Sequence, residues 1–226
     1  MKTSEKIIQK LQEDNIRFHS NDNISKYLDE KTINKLIDEV EKNFDKVLRS
    51  LIIDVDNDPN AKGTARRLAK MYINEIMKGR YYPCENITSF PNEGVSQYTG
   101  MLVVRAEIKS ICSHHHQPVQ GVAYIGVIAG KRVLGLSKYI RIAQWVARRG
   151  TLQEELTTAI ANEIQRATSC GDVAVYIEAT HGCCENRGVS AHSSLTQTTC
   201  LYGQFKEADV KKEFFDNIML QKQLKG

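Results

Sequence analysis

The sequence predicts an α+β fold with a mostly antiparallel sheet. Three observations carry this: helical periodicity runs up to Gly79, Val-, Ile- and Tyr-rich strand runs begin after Gly94, and a helical pair separates two groups of those runs. In the first region, Ile33, Leu36, Ile37, Val40, Phe44, Val47 and Leu51 fall at helical spacing, which predicts an amphipathic helix over Thr32–Leu51. Asp54-Val55-Asp56-Asn57-Asp58 resembles the start of a calcium loop, but Pro59 stands where Gly is needed and Ala65 where Glu is needed, so it reads as a plain loop. Thr64 to Gly79 predicts a second helix, with Leu68, Met71, Ile73 and Ile76 apolar.

Strands are predicted at Met101–Ile108, Val119–Ile128 and Arg132–Leu136, with Ala129-Gly130-Lys131 as the turn joining the last two. A helix follows from Ser137 to before Gly150. Another starts at Thr151, where Thr151-Leu152-Gln153-Glu154 fits a capping box and Leu152, Leu156, Ile160 and Ile164 share a face. Asp172–Thr180 and Ser194–Phe205 read as strands, and the charged C-terminus as a helix. The expected organisation is an N-terminal helical region over 1–95 and a second, sheet-bearing domain over 96–226.

Composition narrows the function classes. With 226 residues, 41% hydrophobic and 26% charged, the chain is expected to be a soluble globular protein, neither disordered nor fibrous. The net charge of +4 is dispersed, apart from small clusters at 65–70 and 148–149, so no nucleic-acid partner is expected. Met1–Asp14 mixes Lys, Glu and Gln with apolar residues and no run reaches membrane-spanning length, so neither secretion nor a membrane partner is expected. The expected location is the cytoplasm, where six cysteines serve as thiols or metal ligands rather than as a disulfide framework.

The densest chemical signal is Cys112-Ser113-His114-His115-His116, followed about seventy residues later by His181-Gly182-Cys183-Cys184. Thiolates and imidazoles together suit zinc, and three protein ligands leave a position for water. Cys112, His115 and Cys183 would make such an open set; Cys184 or His116 could close it into a structural site. The competing reading is buried thiols beside a solvated histidine run. His114 and His181 flank the ligands and titrate in the useful range for proton transfer. Ser137-Lys138-Tyr139-Ile140-Arg141 opens a predicted helix, where free N–H groups and the pair Lys138 and Arg141 can grip phosphate. The alternative there is a solvated basic face. Glu154 can cap its helix, or accept from N1–H and the amino group of guanine.

Taken in order, these residues resemble the GTP cyclohydrolase I family from about Thr32 onward. The resemblance rests on Gly63-Thr64-Ala65-Arg66-Arg67-Leu68-Ala69-Lys70-Met71, Ser110-Ile111-Cys112-Ser113-His114-His115, Gly135 to Ile142, Leu152-Gln153-Glu154 and Glu178 to Cys183. Arg187-Gly188 and Thr196 to Thr199 complete the series. It implies a tunnelling fold, in which two helices pack on an antiparallel sheet and sheets from several subunits join into a barrel. Two stacked pentamers would form a homodecamer with active sites between subunits. It also implies zinc held by Cys112, His115 and Cys183, and proton handling by His114, His181 and Ser137. Guanine would be held by Gln153 and Glu154, and the ribose triphosphate of GTP by Ser137, Lys138, Arg141 and Arg187, with Arg67 supplied by a neighbouring subunit. The implied reaction opens the imidazole ring of GTP after His181 protonates N7, releases formate, and closes the pterin ring of 7,8-dihydroneopterin triphosphate.

The chain departs from the family pattern at four positions. Ser113 stands where Glu is usual, His116 where an apolar residue is usual, Glu155 where Arg is usual and Ala65 where Pro is usual. Two other functions remain compatible with these residues: an enzyme that stops at a formamidopyrimidine or takes a related purine nucleotide such as dGTP, and a zinc-bearing nucleotide-binding protein without turnover. The pathway fed by the product stays open.

Overall fold

A computed structural model describes residues 1–94 and 97–224. The chain divides into two compact units, Met1–Pro83 and Cys84–Gly226. In the first, α1 (Thr3–Glu13) seats Ile7 and Leu11 on Ile24, with Phe18, Tyr27 and Tyr81 around them. The long amphipathic helix is α2 (Glu30–Ser50), begun by the Asp29 carboxylate accepting from the Thr32 amide at 2.7 Å. Its Ile33, Leu36 and Ile37 pack on Ala69 and Ile73.

The predicted Thr64–Gly79 helix is built in three pieces: α3 (Thr64–Met71), a π turn over Tyr72–Ile76, and α4 (Lys78–Tyr81). The extra residue per turn lets the Met77 amide reach the Tyr72 carbonyl. The 54–58 segment is a loop whose carboxylates are used internally. Asp54 accepts from the Asn57 amide, and Asp56 pairs with Arg49.

The second unit is organised by a four-stranded antiparallel sheet in the order β2-β3-β5-β6, where β2 is Met101–Ile111, β3 Pro118–Ile128, β5 Val173–His181 and β6 Thr196–Leu201. Helices α5 (Leu136–Ala147) and α6 (Gln153–Thr168) cover one face. There Ile142, Ala143, Val146, Leu156, Ile160 and Ile164 meet Ile108, Ala123, Ile125, Val175 and Ile177, a core buried almost completely. The opposite face carries Tyr124, Ala174 and Tyr176, and α8 (Ala208–Gln223) lays Phe214 and Ile218 on it with Phe205. Gly126 allows this approach, since a Cβ there would meet Phe214 and Phe205 at 2.8 and 2.9 Å.

Two sequence expectations need correction. The Arg132–Leu136 strand does not pair with β3 through the Ala129–Lys131 turn. As β4 (Arg132–Leu134), it pairs instead with β1 (Ser89–Pro91), where the Arg132 guanidinium donates to the Ser89 carbonyl. Leu136 already belongs to α5. The capping box at Thr151 does not form either: α6 begins after Leu152, and the Thr151 hydroxyl donates to Glu155 at 2.6 Å.

Candidate active site

The register of β3 joins the two chemical clusters. Pro118 lies opposite Ile111 on β2, and the next residue, Val119, lies opposite His181 on β5. The turn after Ile111 and the segment after His181 therefore share one end of the sheet, although some seventy residues separate them. The turn is fastened at its base, with the Cys112 amide donating to Gln117 O and the His116 amide to Cys112 O, both at 2.9 Å. His116 takes a positive φ of 51° to close it. After β5, the short helix α7 (Gly182–Glu185) carries Cys183 and Cys184.

Cys112 is buried, and its thiol lies against that of Cys183. Burial, followed by the neighbouring Cys112 and Cys184 thiols, pushes Cys183 up to about 11. A cation between the sulfurs would reverse that preference, because a metal favours the thiolate. His115 is exposed on the turn, and its Nε2 lies 3.0 Å from Arg187 Nη1. A guanidinium can only donate, so this contact turns the Nε2 lone pair of His115 toward Arg187. Among the described residues, no three His, Cys, Asp or Glu side chains converge on one point. The donor set fits zinc in kind, two soft sulfurs and an imidazole lone pair, with the imidazole turned to Arg187.

His181 ends β5, two residues before Cys183. Its Nε2 lies 2.7 Å from Gln153 Oε1, and burial lowers its pKa from the ordinary histidine value, against the opposing pull of Glu154 and Glu185. Gln153 is only 2% exposed, whereas Glu154 beside it is exposed. No hydrogen bond ties the Glu154 carboxylate among the described residues. His114 is exposed and stands edge-on to His115, with ring centroids 6.3 Å apart.

The start of α5 holds the basic cluster. Ser137 is exposed in its first turn, the Lys138 ammonium donates to Asn86 O at 2.8 Å, and the Arg141 guanidinium pairs with Glu85. The sequence marks neither Glu85 nor Asn86 as a partner of this cluster, Asn86 standing out only as the start of an Asn-Ile-Thr sequon expected to stay unmodified; both precede β1, which pairs with β4 just before this helix. Arg67 belongs to the first unit, where it donates to Thr64 Oγ1 at 2.8 Å and to Lys62 O at 3.1 Å.

Fold and site together define a class: α+β proteins whose thiols and imidazoles stand at one end of an antiparallel sheet with one face covered by two helices, the first of which starts with a basic cluster. Residues 40–219 match the family described as GTP cyclohydrolase I. The chain is 37% identical over 188 residues to GTP cyclohydrolase 1 of Flavobacterium johnsoniae, covering 83% of each chain. It is 36% identical to the enzyme of that name from Aeromonas salmonicida, covering 80% of this chain and 83% of that one. With the Clostridium acetobutylicum protein of the same name it shares 36% identity, over 74% of this chain and 91% of the other. The chain belongs to the GTP cyclohydrolase I family and has its tunnelling fold.

Proposed function

We propose that this chain is a GTP cyclohydrolase I, opening the imidazole ring of GTP by hydrolysis, releasing formate and forming 7,8-dihydroneopterin triphosphate. The observation that carries this reading is the joining of Cys112, Cys183 and His181 by the β3 register, within a chain whose relatives carry that name at 36–37% identity. Cys112, Cys183 and His115 would hold zinc, with His115 exchanging Arg187 for the metal. A zinc ion there would supply a water nucleophile usable near neutral pH.

The chain's own side chains would do the rest. The Glu154 carboxylate accepts two hydrogen bonds from the N1–H and amino group of guanine, an arrangement adenine does not offer. Lys138, Arg141, Arg187 and the hydroxyl of Ser137 take the triphosphate, Lys138 and Arg141 exchanging Asn86 and Glu85 for phosphate oxygens. His181 delivers a proton to guanine N7, which makes C8 a better electrophile, and His114 with Ser137 serves the later proton transfers. Ser113 removes a negative charge from the thiol turn and changes none of these groups.

The free edges of the sheet support an assembled form. One edge of β2 and one edge of β6 have no strand partner among the described residues, and edges of this length invite pairing with another copy. A homodecamer of two pentameric rings, with Arg67 reaching a neighbour's triphosphate and each active site completed between subunits, is the arrangement we propose. No helix among the described residues is long and apolar enough to cross a membrane. A thiol-dependent centre suits the reducing cytoplasm, where we place the chain.

The test is to incubate zinc-loaded protein with GTP and with ATP, assaying formate and, after oxidation, pterin fluorescence. Formate and a fluorescent pterin from GTP alone are expected. Formate without pterin would mean a reaction stopped at the formamidopyrimidine, and neither product would remove the enzymatic reading.

A further inference from the structure

We propose that Glu85 and Asn86 form a strap that occupies Lys138 and Arg141 in the ligand-free chain and must be displaced before phosphate binds there, so that the site carries its own competitor. The inference rests on the reading of Lys138 and Arg141 as phosphate-binding residues and concerns how that site is regulated.

The strap is short and its reach is fixed. Cys84 and Ile87 are half-buried and pack against the core under α5 and α6, while Glu85 and Asn86 between them are exposed. Beyond Asn86, Ser89 lies opposite Leu134 in the β1–β4 register. The Arg132 guanidinium fastens it there, donating to the Ser89 hydroxyl at 2.9 Å and to its carbonyl at 3.0 Å. Leu134 comes just before α5, so the register that pairs the two strands also sets Asn86 beside the first turn of that helix.

Two oxygens of the strap meet two cations. The Asn86 carbonyl accepts from the Lys138 ammonium at 2.8 Å, and the Glu85 carboxylate pairs with the Arg141 guanidinium. Among the described residues, no other hydrogen bond or ion pair holds either cationic head. Lys138 and Arg141 lie three residues apart on one face of α5, so neighbouring phosphate oxygens can replace both acceptors together. Glu85 cannot stay in place during that exchange. A guanidinium has further donors, but a carboxylate kept on Arg141 would set its negative charge against the incoming phosphate. Binding therefore requires Glu85 to swing away, and the closed strap lowers the apparent affinity by the fraction of chains it holds shut. The Arg141 and Glu85 side chains are 50% and 68% exposed, which makes the pair weak, so the strap tunes the site without sealing it.

The experiment is calorimetric titration of the full chain with inorganic triphosphate, which reads the phosphate site without turnover. It is run zinc-free, so that the triphosphate has no metal to chelate, and repeated as KM for GTP on the zinc-loaded protein. Glu85→Gln should bind triphosphate about two- to fivefold more tightly than the wild type, the worth of one exposed ion pair, and Glu85→Lys more tightly still. The substituted side chain is exposed, so both variants should stay folded. Unchanged or weaker binding in Glu85→Gln would overturn the proposal, because a carboxylate that only places Arg141 costs affinity when it is lost. In an Arg141→Ala background the gain from Glu85→Gln should disappear; a gain that survives there would show general charge at work instead of a strap on Arg141, and would overturn the proposal. Triphosphate bound by Arg141→Ala as tightly as by the wild type would remove the phosphate site and the strap with it. Weaker binding by Arg141→Ala, with no gain in Glu85→Gln, would remove the strap alone, so the two failures are distinguishable.

Discussion

The core under α5 and α6 and the rim at the end of the sheet are built from the same strands and behave oppositely. In the core, Ile125, Ile160, Ile164 and Ile177 are fully buried and have permanent apolar partners. At the rim, side chains proposed for the chemistry hold polar partners: Arg187 holds His115, Arg141 holds Glu85 and Lys138 holds Asn86. Burial makes the first set rigid. Exposure makes the second exchangeable, because ion pairs in water contribute little and are easily traded for a phosphate or a metal. His181 and Gln153 lie between the two regimes, on the strand and the helix that build the core yet bonded to each other near the end of the sheet.

Breaking the rim at the metal should give the largest effect. Cys183→Ser should lose both bound zinc and turnover, a fall of about a thousandfold or more in kcat if several kcal/mol of metal assistance disappears. Full zinc content in that variant, measured on the purified protein, would remove Cys183 from the ligand set. Breaking the core instead should act on stability alone. Ile160→Ala, deep under the sheet, should cost about 2–5 kcal/mol in denaturant unfolding. The surviving folded fraction should keep its KM for GTP, and a shifted KM would show that core and rim are not separable.

Glu154→Ala tests the guanine contact. Losing two hydrogen bonds to a charged acceptor should raise KM for GTP about 10- to 100-fold while the chain remains folded and assembled. Unchanged affinity would leave Glu154 with no reading role. The smallest effect should come from Glu85→Gln, which frees Arg141 from an exposed carboxylate. KM for GTP should fall by up to about fivefold, the worth of one surface ion pair. A rise would show that Glu85 helps to place Arg141 rather than compete for it.

What could be read from the sequence follows from what is local. The helix at α2 and the strands β2, β3 and β5 show their period within a few residues, and the thiol and imidazole types name their own chemistry. The failures are nonlocal or competitive. The turn at Ala129–Lys131 is a good turn, but β4 pairs with a segment forty residues upstream that no short-range pattern marks. Thr151 does offer its hydroxyl, yet Glu155, four residues on, receives it before a capping box can form. That Gln153 is spent within the protein could not be read from Leu152-Gln153-Glu154, because its partners Thr196 and Thr198 belong to β6.

The β3 register brings two clusters seventy residues apart to one end of the sheet, and the proposed zinc site needs both. X-ray absorption at the zinc edge of the loaded protein tests it most directly. Two sulfur ligands with the remaining positions filled by nitrogen or oxygen, reduced to one sulfur in Cys112→Ser, are the predicted result. A centre with no sulfur, or one unchanged by Cys112→Ser, would contradict it.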